Sequence, residues 1–213
     1  MRPSALLFDW DNTLVDGWAA IQHGLNAAFR HFGMAEWDRA QVLGNVRRSL
    51  RESFPEMFGG RWEEARDVFY AGVRACHLEV LRPMPGVPAM LAALQGWPLG
   101  VVSNKQGPLL RAEAAHLGWR FATLVGAGDA AADKPDAAPL RMALAAMGQQ
   151  AGPAVWYVGD TALDMQAARA AGCVAVLLGM AEHDGGVATC APDLHFPDAE
   201  ALATHVRALD KAA

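Results

Sequence analysis

The chain has 213 residues, enough for one α/β domain with a smaller insert. Hydrophobic residues make up 53% of it, which supports a packed core and excludes a disordered chain. A net charge of −5 excludes a surface built as a whole for nucleic acid. The charge is unevenly placed. Residues 17–82 carry nine Arg against eight acidic residues, whereas residues 83–213 carry eight basic and twelve acidic ones. A less acidic middle segment suits a cover over an anionic substrate. Cys76, Cys173 and Cys190 have no metal or redox spacing and fit free thiols in a reducing compartment. The apolar stretch before Asp9 is too short for a signal peptide, and no apolar run approaches the ~20 residues of a membrane helix. The expectation is a cytoplasmic protein without membrane or nucleic-acid partners.

Leu6-Leu7-Phe8 is an apolar run that stops at Asp9-Trp10-Asp11-Asn12-Thr13, which reads as a short buried strand ending in a polar cluster. Trp18, Ile21, Leu25, Ala28, Phe29 and Phe32 then recur at helical spacing, with Gly33 as a stop. Shorter helices fit residues 36–43, ended by Gly44, and 47–54, broken by Pro55 and Gly59-Gly60. Trp62 to Val80 marks a long helix. Residues 17–82 therefore read as an all-helical insert, with Asp16-Gly17 and Arg82 to Gly86 as its two connections. The remaining chain alternates. Strands are expected at 99–102, 123–126, 154–158, 174–178 and, as an edge strand, 194–196. Helices are expected at 88–94, 109–117, 137–147, 163–171 and 199–209. Asp184-Gly185-Gly186 reads as a flexible loop with no helix after it. This alternation predicts a Rossmann-like parallel sheet with right-handed crossovers. The core is then residues 1–16 with 83–213, and 17–82 is a separate helical domain. The strand ends would bring Asp9, Ser103 and Asp160 to one rim.

Asp9 and Asp11, two positions apart past a strand end, can both turn toward one site. Carboxylates that close repel unless a cation or a shared proton intervenes. For this segment alone an Asx-turn serves equally well. Taken singly, Ser103-Asn104 could cap a helix, Lys134-Pro135 could be a solvated loop, and Gly159-Asp160-Thr161 could be a turn and N-cap.

Taken together, four segments resemble the haloacid dehalogenase superfamily in its own order. Asp9-Trp10-Asp11-Asn12-Thr13-Leu14-Val15 is similar to its D-x-D-x-T motif. Val101-Val102-Ser103-Asn104 is similar to its second motif, a strand ending in a hydroxyl. Asp133-Lys134-Pro135 carries the lone Lys, and Val158-Gly159-Asp160 through Asp164 is similar to G-D-x-x-x-D. The resemblance implies phosphoryl transfer. Asp9 would be the nucleophile and form an aspartyl-phosphate. Asp11 would act as acid and then base. Lys134 would neutralise the phosphoryl group and orient Asp9, while Ser103 and Asn104 would bind phosphate oxygens. Mg²⁺ would be held by Asp9, the Asp11 carbonyl and Asp160. Asp164 would hold Lys134 or a metal-bound water, and Thr13 would support the site from behind. Within the superfamily, Ser103-Asn104-Lys105 is similar to the T-N-K run of phosphoglycolate phosphatase-like members, which makes Lys105 a candidate anion contact.

In the insert, Gly44-Asn45-Val46-Arg47 resembles a G-x-x-R cap loop, so Arg47 is a candidate substrate contact, beside Arg48 and Arg51. The alternative for these is a solvated helix face. The insert has no Lys, which argues against a phosphonatase, and Asp11 argues against a dehalogenase. The seven His read as structural or surface residues. The expected activity is Mg²⁺-dependent hydrolysis of a small phosphorylated metabolite. A phosphomutase on a sugar phosphate and a non-catalytic phosphate-binding protein are the alternatives.

Overall fold

The computed structural model of the chain describes residues 2–46 and 50–211. The first run forms β1 (Ala5–Phe8), and all four of its residues are fully buried. A strand with no polar face belongs inside a sheet covered on both sides. Two compact units follow from the chain path, Met1–Val15 with Pro83–Ala213, and Asp16–Arg82. The two crossings are adjacent in space. On one side Val15 bridges to Pro83, and on the other the Asp16 N–H donates to the Arg82 carbonyl at 2.9 Å.

The second unit is helical: α1 (Trp18–His31), α2 (Arg39–Asn45), α3 (Leu50–Phe58) and α4 (Trp62–Val80). Helices α1 and α4 lie almost backbone to backbone. A Cβ on Gly24 would sit 2.7 Å from Val73 Cγ2, and one on Gly72 would sit 2.9 Å from Ala27 Cβ. Phe54, Phe58, Phe29 and Phe69 fill the space beside them, with ring centroids 5.1 Å apart for Phe54–Phe58 and 5.6 Å for Phe54–Phe69. This packing explains a departure from the predicted break at Pro55. Helix α3 continues through Pro55 to Phe58 because Phe54 and Phe58, one turn apart, both anchor in that cluster. Helix α2 starts at Arg39 and not at 36 because Asp38 and Gln41 form a reciprocal capping box. It also runs past Gly44, the expected stop.

The first unit resumes with α5 (Val87–Ala93), β2 (Leu99–Gln106), α6 (Gly107–His116), β3 (Thr123–Ala127), α7 (Ala138–Ala146), β4 (Val155–Gly159), α8 (Ala162–Ala171), β5 (Val174–Leu178), α9 (Val187–Cys190), β6 (Leu194–Phe196) and α10 (Ala199–Lys211). The six strands form one parallel sheet in the order β3-β2-β1-β4-β5-β6. This is the expected Rossmann-like α/β sheet, with β6 at an edge. Strand β1 sits between β2 and β4, with Leu6 opposite Leu99 on one side and Trp156 on the other. The ends of three neighbouring strands therefore share one rim. Two details differ from the sequence expectation. Strand β2 extends to Gln106, with a register shift between Val102 and Gln106. The Asp184-Gly185-Gly186 stretch is not a featureless loop: a 3₁₀ turn at Glu182–Asp184 precedes it and the four-residue α9 follows.

Candidate active site

Asp9 follows the last residue of β1 and stays on the ladder, its N–H donating to the Val158 carbonyl at 2.8 Å. The chain then folds over itself. The Leu14 and Val15 N–H groups both donate to the Trp10 carbonyl, and Asn12 takes a left-handed conformation with φ of 64°. Asn accepts that conformation at little cost. The tight loop carries Asp11 and Thr13 back toward the strand ends.

Lys134 lies at the centre of the cluster. Its Nζ donates to Asp9 Oδ1 at 2.7 Å, Asp164 Oδ1 at 2.7 Å and the Tyr157 hydroxyl at 2.9 Å. Three donors meet three acceptors, so a buried ammonium is fully satisfied. Burial works against the Lys134 charge, but the Asp164 and Asp9 carboxylates outweigh it and raise its pKa. The Tyr157 hydroxyl in turn donates to the Val102 carbonyl at 2.8 Å. Asp164 uses its second oxygen to accept from the Thr161 hydroxyl at 2.6 Å and N–H at 3.1 Å, closing a capping box at the start of α8. Gly159 makes room for this carboxylate, since a Cβ there would lie 2.4 Å from Asp164 Cγ.

Asp160 accepts from the Thr13 hydroxyl through Oδ1 at 2.9 Å. Its Oδ2 is buried without a hydrogen-bond partner. His183 Nε2, carried in by the loop after β5, lies 3.3 Å from that oxygen, within ion-pair reach but without hydrogen-bond geometry. Carboxylate oxygens of Asp9, Asp160 and Asp164 lie within 4.8 Å of one another. Three carboxylates face one ammonium. Burial first, then Asp164 and Asp160, push Asp9 up to about 7 against the opposing pull of Lys134. Burial likewise raises Asp160. A hard divalent cation fits this all-oxygen, over-acidic donor set, in which Asp160 Oδ2 faces His183 at 3.3 Å.

The other predicted residues divide. Ser103 is buried within β2, three residues before its end, and its Oγ accepts from the Lys105 N–H at 3.2 Å. Asn104 departs from the expected phosphate contact. Its side-chain amide pairs reciprocally with the Lys134 main chain, Nδ2 to the carbonyl and Oδ1 from the N–H, both at 3.0 Å. It fastens the Lys134 loop to β2. Lys105 departs too: its Nζ is held by Asp11 Oδ1 at 2.8 Å and Glu113 Oε2 at 2.9 Å, so in place of a free anion contact it is an ion-paired side chain. Arg47 and Arg48 lie outside the described residues. Sequence reading missed Tyr157, Glu113 and His183. Only Glu113 left a signal: it sits one turn from Leu109 and Leu110 on the apolar side of α6, an unusual place for a charge.

Comparison with known proteins agrees with this geometry. Residues 6–178 match the haloacid dehalogenase-like hydrolase family. A phosphoglycolate phosphatase of Xylella fastidiosa is 34% identical over 90% of this chain and 87% of its own length. One from Chromobacterium violaceum is 33% identical over 82% of this chain and 84% of its own. A haloacid dehalogenase-like hydrolase from Streptococcus pneumoniae shares the fold with a TM-score of 0.83 at 21% identity, covering 95% of this chain and 98% of that one. The strand-end carboxylates, the buried lysine and these matches lead to one conclusion: the chain belongs to the haloacid dehalogenase-like hydrolase family and is an enzyme of the hydrolase class.

Proposed function

We propose that the chain is a phosphatase, a phosphoric monoester hydrolase that acts on a small anionic phosphoester through an aspartyl-phosphate on Asp9 and depends on Mg²⁺. The observation that carries this reading is the position of Asp9: a buried strand-end carboxylate, 2.7 Å from an ammonium and clustered with Asp160 and Asp164. Asp9 attacks phosphorus, and the bond to the ester oxygen breaks. Asp11 gives that oxygen its proton, then accepts one from the water that attacks the phosphoryl group and frees Asp9. Lys134 keeps Asp9 oriented and offsets charge gathering on the phosphoryl oxygens. Asp164 and Tyr157 hold Lys134 in place from behind. The Ser103 hydroxyl, on the neighbouring strand, binds a phosphate oxygen. Asp9, the Asp11 carbonyl and Asp160 would hold the cation, which when bound screens the anionic nucleophile from the anionic substrate.

The substrate class follows from the relatives named phosphoglycolate phosphatase and from the arginines of the insert. The Asp16–Arg82 unit serves as a cap that selects a second anionic group, with Arg47 as its candidate contact. We place the enzyme in the cytoplasm, a reading supported by its three buried free cysteines; no helix among the described residues is long and apolar enough to cross a membrane. A panel of phosphate monoesters, including phosphoglycolate, assayed with Mg²⁺ and with chelator, tests the reading. Hydrolysis that requires Mg²⁺ and favours carboxylate-bearing esters is the expected result. Inactivity on the whole panel would overturn it.

A further inference from the structure

Glu113 is the most fully buried charged side chain beside the site that the phosphoryl-transfer roles leave unused. It lies on α6 with no exposed surface. Its Oε2 accepts from the Trp10 indole N–H at 2.6 Å and from Lys105 Nζ at 2.9 Å. Lys105 is itself nearly buried, at 9% side-chain exposure, and its ammonium reaches Asp11 Oδ1 at 2.8 Å. The order is therefore Glu113, Lys105, Asp11, with a branch from Glu113 to Trp10, the residue between Asp9 and Asp11. Each link is a charge-assisted hydrogen bond, the short and directional kind.

A buried ion pair is weak grounds for stability, because desolvation offsets much of the attraction. What such a pair does supply is direction. Asp11 is the one carboxylate of the cluster at an appreciably exposed position, with a side chain 24% exposed, on a loop past the strand end. An aspartate there has free rotamers unless something holds it. Lys105 holds one of its oxygens, and Glu113 fixes Lys105 from the far side while its bond to Trp10 pins the loop backbone between the two aspartates.

We propose that Glu113 is a positioning residue for Asp11: acting through Lys105 and Trp10, it holds the Asp11 carboxyl where it can pass a proton to the departing ester oxygen. The inference rests on the acid role given to Asp11 above. It assigns a function to a helix residue remote from the strand ends and accounts for Lys105 without a substrate contact.

The consequence is selective. Leaving groups that depart readily need no proton, and poor ones do. The Glu113→Gln variant keeps shape and loses charge. It should lose about 10- to 100-fold in kcat/KM on an alkyl phosphate, part of the ~10²–10⁴-fold that a positioned acid contributes. On p-nitrophenyl phosphate it should lose less than about 3-fold, since that leaving group departs without a proton. Lys105→Gln should show the same selectivity, and the double variant should be no worse than the poorer single one, because both act through one contact. The comparison uses the full chain with Mg²⁺, and thermal melting checks that each variant is folded; if Glu113→Gln does not fold, the Lys105→Gln result decides. Equal losses on both esters, or none on either, would overturn the proposal. Asp11→Asn separates the two layers. The readout is kcat/KM, which ends at departure of the ester oxygen and leaves out the later water step that both esters share: if Asp11→Asn too loses kcat/KM equally on both esters, the acid role of Asp11 fails; if it is selective and Glu113→Gln is not, only the positioning role fails.

Discussion

The two units of the chain handle polar groups in opposite ways. In Met1–Val15 with Pro83–Ala213, charges are taken inside: Asp9, Glu113, Lys134, Asp160 and Asp164 are all buried, Glu113 on α6 and the other four around adjoining strand ends. In Asp16–Arg82 the interior is apolar apart from His77, with Phe29, Phe54 and Phe69 buried, while ion pairs such as Arg61–Glu64 and Arg30–Glu36 lie in solvent. Buried charges cost desolvation and persist only when every partner is in place. Exposed pairs cost little and contribute little. One unit thus holds its charges inside at some expense of stability, and the other leaves its ion pairs in solvent.

The largest effect should come from breaking the buried network. Lys134→Met leaves Asp9 and Asp164 without their ammonium, and removal of one partner from a buried pair costs about 3–5 kcal/mol. Denaturant unfolding should show a loss of that size, and turnover should vanish even in the fraction that remains folded. In the helical unit, Phe54→Ala should cost a similar or slightly smaller ~3–5 kcal/mol by opening a cavity. Here the folded fraction should keep its turnover of a generic aryl phosphate. Stability and activity would fall together in one unit and separate in the other; an equal loss of turnover in both would erase the contrast.

Gly159→Ala is a smaller change. Its methyl group would displace the Asp164 carboxylate, which caps α8 and holds Lys134. Overpacking of this kind costs about 1–3 kcal/mol. Activity should fall by more than stability alone explains, and a wild-type kcat would show that the carboxylate can move at no consequence.

The smallest effect concerns the exposed pair. Hydrogen bonds from Arg61 first, and His31 second, lower Glu64 to about 2 from an ordinary 4.5. A depressed carboxylate adds stability that is present above pH 4.5 and is lost as pH falls toward 2. Because Glu64 is exposed, solvent screens that contribution. Carbon-13 titration of the Glu64 carboxyl should therefore return toward its ordinary value in Arg61→Gln, with no measurable shift in the melting midpoint at neutral pH.

The sheet was readable in the sequence because each strand is an apolar run bounded by turn residues, from Leu6-Leu7-Phe8 to Val174–Leu178. Lys134 and Asp160 stood out only through the resemblance of their segments to the family's motifs. What spacing could not show was which partner each polar side chain takes. Asn104 and Lys105 follow Ser103 in a run that reads as an anion contact, yet one fastens the Lys134 loop and the other pairs with Asp11, because β2 continues four residues past Val102 and redirects both. Tyr157 hid inside an apolar strand, and His183 reaches Asp160 by way of a 3₁₀ turn just before the unpatterned Gly185-Gly186. Pro55 misled for the opposite reason: a local breaker was overruled by the tertiary packing of Phe54 and Phe58.

The central claim is that Asp9 is the group that becomes phosphorylated. Acid quenching during turnover of an active phosphoester, followed by borohydride reduction and peptide mass spectrometry, reads this directly. The account predicts an aspartate reduced to homoserine at position 9, dependent on substrate and Mg²⁺ and absent from Asp9→Asn, whose fold should be intact and whose turnover should fall by on the order of 10⁴-fold or more. Reduction at a different carboxylate, or steady hydrolysis by Asp9→Asn near the wild-type rate, would contradict it.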